Sequence, residues 1–330
     1  MSNLKATDVF TPNDFPQHTY VERGAEELER RLRDALATPG EIVSVSGPSK
    51  SGKTVLVERV VGQDDLITVT GAGVRTPDML WERVLDWMGA PHSTSEESVN
   101  SRSGTVSAET TGSVSVPLVA KGQIAGAAEV GASRTKGSSA YSGRRGMSQV
   151  VSEIADSDFV LLIDDFHYME RAIQTEVANQ IKEAARRRVK ICTASVPHRA
   201  DDVVRSNPEL RGRVRALDLD YWEFSELEQI GTIGFRELGV RLNPVPLRQF
   251  ATEASGSPQL MQAICLQACF ELDLRQASSG MRDIGVTEEQ VKHVLQETST
   301  RTDFSSLVRN MHTGPKTRGT ERKVFVVFNK

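Results

Sequence analysis

The stretch Gly47-Pro48-Ser49-Lys50-Ser51-Gly52-Lys53-Thr54 constrains this chain more than any other. It fits G-x-x-x-x-G-K-[ST], the pattern of a phosphate-binding loop. The flanks fit as well. Residues 41–46, Glu-Ile-Val-Ser-Val-Ser, read as a buried strand, and residues 55–61, Val-Leu-Val-Glu-Arg-Val-Val, read as a helix. Glycines let the backbone curl so that successive N–H groups converge on phosphate oxygens. Lys53 is spaced to reach the β- and γ-phosphates and Thr54 to hold Mg²⁺, while the helix N-terminus adds a favourable dipole. An ordinary Gly/Ser turn would share the composition but not the strand–loop–helix context.

Around this loop the pattern alternates. A helix is expected over 25–37, a strand over 66–70, and a helix over 77–88 that opens on a proline, a good first-turn residue. Strands follow over 159–164, 189–194 and 215–219, with a helix over 172–187. Short apolar strands separated by helices predict a parallel sheet covered on both faces, a three-layer α/β core. The expected division is an extended arm over 1–19, the core over 20–222, a region of helices alone over 223–300, and a basic tail over 301–330. Residues 93–146 break the alternation. They are rich in Ser, Gly, Ala, Thr and Val and lack bulky residues for a core of their own. Two readings stay open: a mobile insertion, or a β-hairpin that orders only against a partner. A membrane-inserting hairpin is the weakest option, because its apolar faces are short.

Composition narrows the function by exclusion. The formal charge of −4 gives no global basic signature, so any nucleic-acid binding must come from a local patch. The three cysteines, Cys192, Cys265 and Cys269, are too few for a disulfide framework and share no metal-ligand spacing with the six histidines. Cys265 and Cys269 read as small core residues of an apolar helix. No apolar run is long enough to span a bilayer and no leader-like stretch is evident, so a cytoplasmic setting is expected.

The second chemical element is Phe159-Val160-Leu161-Leu162-Ile163-Asp164-Asp165. An apolar run ending in acid puts carboxylates at the C-terminal edge of a strand, where ligands bind in open α/β sheets. Asp164 is expected to hold Mg²⁺ through water, and Asp165 to orient or polarise the attacking water.

An apolar strand ending in Asp-Asp resembles the STAND class of ATPases, relatives of the AAA+ and origin-recognition-type initiator ATPases. Three further segments carry the resemblance. Tyr20-Val21-Glu22-Arg23-Gly24-Ala25-Glu26-Glu27-Leu28 is similar to that group's opening motif, with Glu22 in place of the usual glycine; there Val21 and Arg23 would lie against the adenine. Gly256-Ser257-Pro258 resembles the G-x-P motif of STAND proteins, which implies that Pro258 packs near the nucleotide. Pro208-Glu209-Leu210-Arg211-Gly212-Arg213-Val214 resembles the arginine-bearing segment before the last core strand of AAA+ ATPases, where Arg211 or Arg213 would act in trans as an arginine finger. After the fourth strand, Thr193 or Ser195 matches the first sensor of the γ-phosphate, and Arg199 is an alternative. The sensor arginine of the AAA+ helical region is not evident, since Gly256-Ser257-Pro258-Gln259 has none beside it, a departure that favours STAND.

The resemblance implies ATP and Mg²⁺ as ligands, slow hydrolysis, and a switch that works through homo-oligomers or an effector protein, in signalling or defence. Two rivals stand beside it. One is a DNA-associated ATPase of initiator or transposition-regulator type. Its basic patch would be Arg301, Arg309, Lys316, Arg318, Arg322, Lys323 and Lys330, set against Asp303 and Glu321. The solvated tail is that segment's bland alternative. The other rival is a nucleotide-binding scaffold that does not hydrolyse.

Overall fold

The computed structural model describes residues 4–23, 26–90, 93–94, 142–143, 145–196 and 210–301. The expectations for most of 93–146, for Gly24, Ala25, Arg199, Pro208 and Glu209, and for the tail beyond residue 301 lie outside the described residues. The chain falls into two compact units. One comprises Arg30–Ser46 and Val57–Asp218; the other comprises Met1–Glu29, Gly47–Leu56 and Leu219–Lys330.

The first unit is built on a five-stranded sheet. Its strands are β1 (Ile42–Ser46), β2 (Leu66–Thr70), β3 (Val160–Asp164), β4 (Lys190–Ser195) and β5 (Val214–Asp218). Their order is β2-β3-β4-β1-β5, and every pairing is parallel. Each crossover therefore needs a helix, and helices flank the sheet as its apolar strands require. On one face Ile42, Ile67, Leu161, Ile163 and Ile191 share a core with α4 (Pro77–Trp87), α5 (Met147–Ile154) and α6 (Arg171–Arg186). The alternate residues Val43, Val45, Leu162, Cys192 and Ala194 are buried too. Thr76 caps α4, its hydroxyl accepting from Met79 N–H, and Pro77 opens the first turn as expected. Ser93–Thr94 pairs antiparallel with Ser142–Gly143, so the ends of the long insertion meet.

The second unit is mainly helical. It contains α7 (Phe224–Glu237), α8 (Pro244–Ala254), α9 (Pro258–Glu271) and α10 (Glu288–Arg301). Their apolar faces bury Ile230, Phe250, Met261, Ile264, Cys265 and Val294 in one core. Gly231 allows close helix packing, since a Cβ there would meet Leu247 Cδ2 at 2.7 Å. Burial pushes the thiols of Cys265 and Cys269 well above the ordinary range, with Cys269 adding to the effect on Cys265, so both stay protonated core residues.

Two expectations for this unit are corrected. The region after residue 225 is not helices alone, because β6 (Val240–Leu242) and β7 (Arg282–Ile284) form a small parallel sheet. Three-residue strands carry too little periodicity to be read from sequence. Nor is the N-terminal segment a free extended arm. Residues Ala6–Val9 form a helical turn, α1, and Ala6, Val9 and Phe10 are fully buried in the helical core. Phe10 packs on Phe235 at 5.1 Å between ring centroids and fills the space that Gly234 leaves by lacking a Cβ. The apolar spacing 6, 9, 10 is helical, but polar neighbours and the prolines mask it.

Candidate nucleotide site

The phosphate loop joins β1 to α3 (Lys53–Val61). Its backbone turns through two left-handed residues, Lys50 at φ +64° and Gly52 at φ +90°. Glycine adopts this region freely and lysine only at a cost of about 1–2 kcal/mol, so the loop holds a curl that the chain would not otherwise prefer. A Cβ on Gly47 would lie 2.8 Å from Ser51 Oγ and 2.9 Å from Leu219 Cβ, so only glycine fits there. The Lys53 ammonium folds back on the loop, donating to the carbonyls of Gly47 at 2.9 Å and Pro48 at 2.8 Å. Ser51 N–H donates to Pro48 O, and Ser51 Oγ is buried without a hydrogen-bond partner among the described residues. The α-helix begins at Lys53, so Thr54 lies in its first turn. A curled run of peptide groups, a lysine and a helix N-terminus is an anion-binding arrangement. Ser49 lies at the exposed tip of this curl.

The sheet unit supplies a second polar region, the carboxyl edge of its strands. Asp164 ends β3 and accepts from the N–H of Asp165 at 2.8 Å. Asp165 takes a left-handed conformation (φ +54°), tolerated by aspartate, and its carbonyl accepts from Tyr168 N–H. Gly71, just past β2, makes this turn possible. Its N–H donates to Asp164 O at 2.7 Å, and a Cβ there would stand 2.8 Å from Asp165 O. Asp164 also raises the Cys192 thiol pKa, secondary to burial, which dominates.

The parallel register sets Ser46 of β1 opposite both Ser195 of β4 and Asp218 of β5. Ser46 Oγ donates to Asp218 Oδ1 at 2.8 Å. Thr193 and Ser195 point to the same face, two residues apart, but differ in partners. Thr193 Oγ1 donates to Val43 O at 3.4 Å, whereas Ser195 Oγ is buried with no partner among the described residues. Arg211 and Arg213 are exposed beside the amino end of β5, at the opposite end of the sheet from Asp164. Arg213 O accepts from Ile42 N–H, the first residue of β1.

In the helical unit Val21 is buried in the apolar core and Pro258 opens α9. Gln259, next in α9, donates to Asn13 Oδ1 at 2.9 Å. Arg23 Nε lies 3.3 Å from Glu226 Oε2, its Nη2 donates to Tyr221 O, and its Nη1 is buried without a partner among the described residues. The guanidinium stacks 5.0 Å over Trp222, whose indole N–H donates to the carbonyl of Ser51 in the phosphate loop. Sequence reasoning missed Trp222. The available signal was the aromatic run Tyr221-Trp222-Glu223-Phe224 between the last strand and the first helix after it.

Among the described residues no cluster of three His, Cys, Asp or Glu could hold a metal unaided. No described helix is long and apolar enough to cross a membrane.

No protein-family profile matches the chain, and no curated protein matches it. Solved structures do. The chain is similar to the ORC2 protein of Aeropyrum pernix in its ADPNP–ADP complexes, with a TM-score of 0.56 and 14% identity over 93% of this chain and 75% of that one. It is similar to the ADP form of the same protein, with a TM-score of 0.51 and 14% identity over 88% and 72%. Cdc6p from Pyrobaculum aerophilum gives a TM-score of 0.50 and 12% identity over 82% and 67%. At such identities the likeness concerns the fold. The sheet order β2-β3-β4-β1-β5 with flanking helices and a helical region after it is the AAA+-like P-loop fold.

Proposed function

We propose that this chain binds ATP with Mg²⁺ and hydrolyses it slowly, as a molecular switch of STAND/AAA+ type. The observation that carries this reading is the phosphate loop itself: left-handed Lys50 and Gly52, the crowded Gly47, and Lys53 at the head of α3. In this reading residues 47–54 cradle the phosphates, Lys53 neutralises their charge, and Thr54 and Asp164 hold Mg²⁺, which screens the phosphates. Asp165 accepts a proton from the attacking water. The Ser195 hydroxyl, without a partner among the described residues, supports it over Thr193 as the group that meets the γ-phosphate or that water. Val21, Arg23 and Pro258 would line the base, by resemblance to STAND proteins. Titration of ATP and ADP into wild type and Lys53→Ala by calorimetry tests the binding step, and phosphate release by Asp165→Asn tests the hydrolytic one.

The switch acts through nucleotide-dependent assembly or recruitment of an effector. Arg211 or Arg213 then reaches a neighbour's γ-phosphate, which fits their exposure at the far end of the sheet from Asp164. Turnover per subunit should rise with protein concentration, and mass photometry with ATP should show larger species than with ADP. A flat rate with a monomer throughout overturns the finger.

A second reading rests on the seven basic residues of 301–330, which would engage nucleic-acid phosphates. A gel shift that weakens steeply with salt favours it, whereas no shift at low salt removes it. If Asp165 cannot replace a glutamate, the chain is a nucleotide-binding scaffold, and turnover at background with tight ATP binding would say so.

A further inference from the structure

We propose that Trp222 is a positioning residue for the phosphate loop, setting the direction of the Gly52 N–H through the carbonyl of Ser51. The inference rests on the nucleotide-binding reading and extends it to a residue outside the loop.

The argument begins with peptide geometry. In a trans peptide the carbonyl of one residue and the N–H of the next point in opposite directions in one plane. The chain has no cis peptide among its described residues, so holding Ser51 O on one side aims Gly52 N–H at the other. Trp222 holds it, with Nε1 donating to Ser51 O at 2.9 Å. Gly52 sits at φ +90°, where glycine is free to swing. The peptide before it therefore gains most from an external anchor that holds one orientation. The neighbouring carbonyls of Gly47 and Pro48 are already taken by Lys53. Trp222 supplies the anchor for the Ser51 carbonyl, which Lys53 does not hold.

Trp222 is itself held from two sides. Its backbone N–H donates to Gly256 O at 3.2 Å, in the Gly256-Ser257-Pro258 loop that starts α9. Gly256 is left-handed at φ +80°, and a Cβ there would meet Tyr221 Cβ at 3.0 Å, so the contact requires glycine. The Arg23 guanidinium covers the ring face, held by Glu226 and by Tyr221 O. Arg23 and Glu226 are only 14% and 17% exposed, so water screens this pair weakly. A cation over the ring also draws electron density from it, which makes the N–H a better donor. The G-x-P loop, the Tyr20–Arg23 segment and the start of α7 therefore converge on a single donor aimed at the phosphate loop.

The test is Trp222→Phe, which keeps an aromatic ring for Arg23 and removes the N–H. With Mg²⁺ present, calorimetry should show ATP and ADP binding each weakened about five-fold, the worth of one hydrogen bond, and by the same factor for both. Melting of the nucleotide-free protein should stay within a degree or two of wild type. A purely structural role would do the reverse, lowering the melting temperature and sparing affinity. Lys53→Ala is titrated in parallel. If it abolishes binding while Trp222→Phe binds like wild type, the inference fails and the nucleotide site stands. If Lys53→Ala binds like wild type, the site reading fails, and the inference with it. Should Trp222→Phe not fold, benzothienylalanine at position 222 keeps the indole shape without the N–H. The same five-fold loss supports the inference, and unchanged affinity overturns it.

Discussion

In the phosphate loop, carbonyls are satisfied from within the same unit: Lys53 covers those of Gly47 and Pro48, and Trp222 covers that of Ser51, while the Ser51 hydroxyl is buried without a partner among the described residues. The carboxyl edge of the sheet differs. Ser46 and Asp218 bond to each other, yet Ser195, opposite Ser46 in the register, buries a hydroxyl with no partner among the described residues. Buried polar groups are nearly always paired, so an orphan is informative. The loop is shaped in advance: a phosphate would draw Lys53 away from its two carbonyls, while the indole bond to Ser51 O stays. The sheet edge carries a group whose bonding is incomplete within the described fold. The held carbonyls of the loop suit binding, and the spare Ser195 hydroxyl of the sheet edge suits a step in the reaction.

Five substitutions would break or sharpen this contrast. The largest effect is expected for Asp165→Asn, which removes the water's proton acceptor. Phosphate release should fall roughly 10³-fold with ATP affinity nearly unchanged, because general-base catalysis contributes about 10²–10⁴-fold. Equal loss of binding would place Asp165 with the loop rather than with the reaction. Next is Lys53→Ala, expected to weaken ATP and ADP by about 100-fold or more, since charge-assisted hydrogen bonds to phosphate are lost. An unchanged calorimetric affinity in a folded protein would end the division of labour altogether.

Gly71→Ala should be felt at the sheet edge alone. Its methyl would press on Asp165 O at 2.8 Å, backbone that cannot swing aside like a side chain. Overpacking of this kind costs about 2 kcal/mol, seen as a lower midpoint in urea, and turnover should drop while nucleotide affinity holds. The smallest effect is Ser195→Ala, about ten-fold slower turnover with no loss of melting temperature. Deleting a buried hydroxyl that has no partner leaves nothing unsatisfied behind. Thr193→Val should do the opposite, costing stability by the lost bond to Val43 O while sparing turnover. If the two variants exchange roles, Thr193 is the group that meets the reaction.

Much of the fold was legible because its signals are local. Five short apolar strands, the prolines opening α4 and α9, and the glycine-lysine loop each declare themselves within about ten residues. The core role of Cys265 and Cys269 was legible from helical spacing alone. The docking of α1 was less so, because Phe10 acquires its meaning only against Gly234 and Phe235. The β6–β7 pair was not legible either, since three-residue strands forty residues apart have no pattern of their own.

The sequence by itself determined that a glycine-lysine loop of phosphate-loop pattern sits between a buried strand and a helix, that an acid pair ends another strand, and that a parallel sheet covered on both faces carries them. These follow from residue type and short-range spacing, where sterics and burial act on neighbouring positions. Tertiary structure alone decided the strand order, the pairing of Ser46 with Asp218, the isolation of the Ser195 hydroxyl, and the indole bond to the loop. Each of these joins groups far apart in the chain: Trp222 and Ser51 are separated by 171 residues, and Ser46 and Asp218 by 172. Which distant partner a polar group meets depends on how whole elements pack, and no local pattern encodes that.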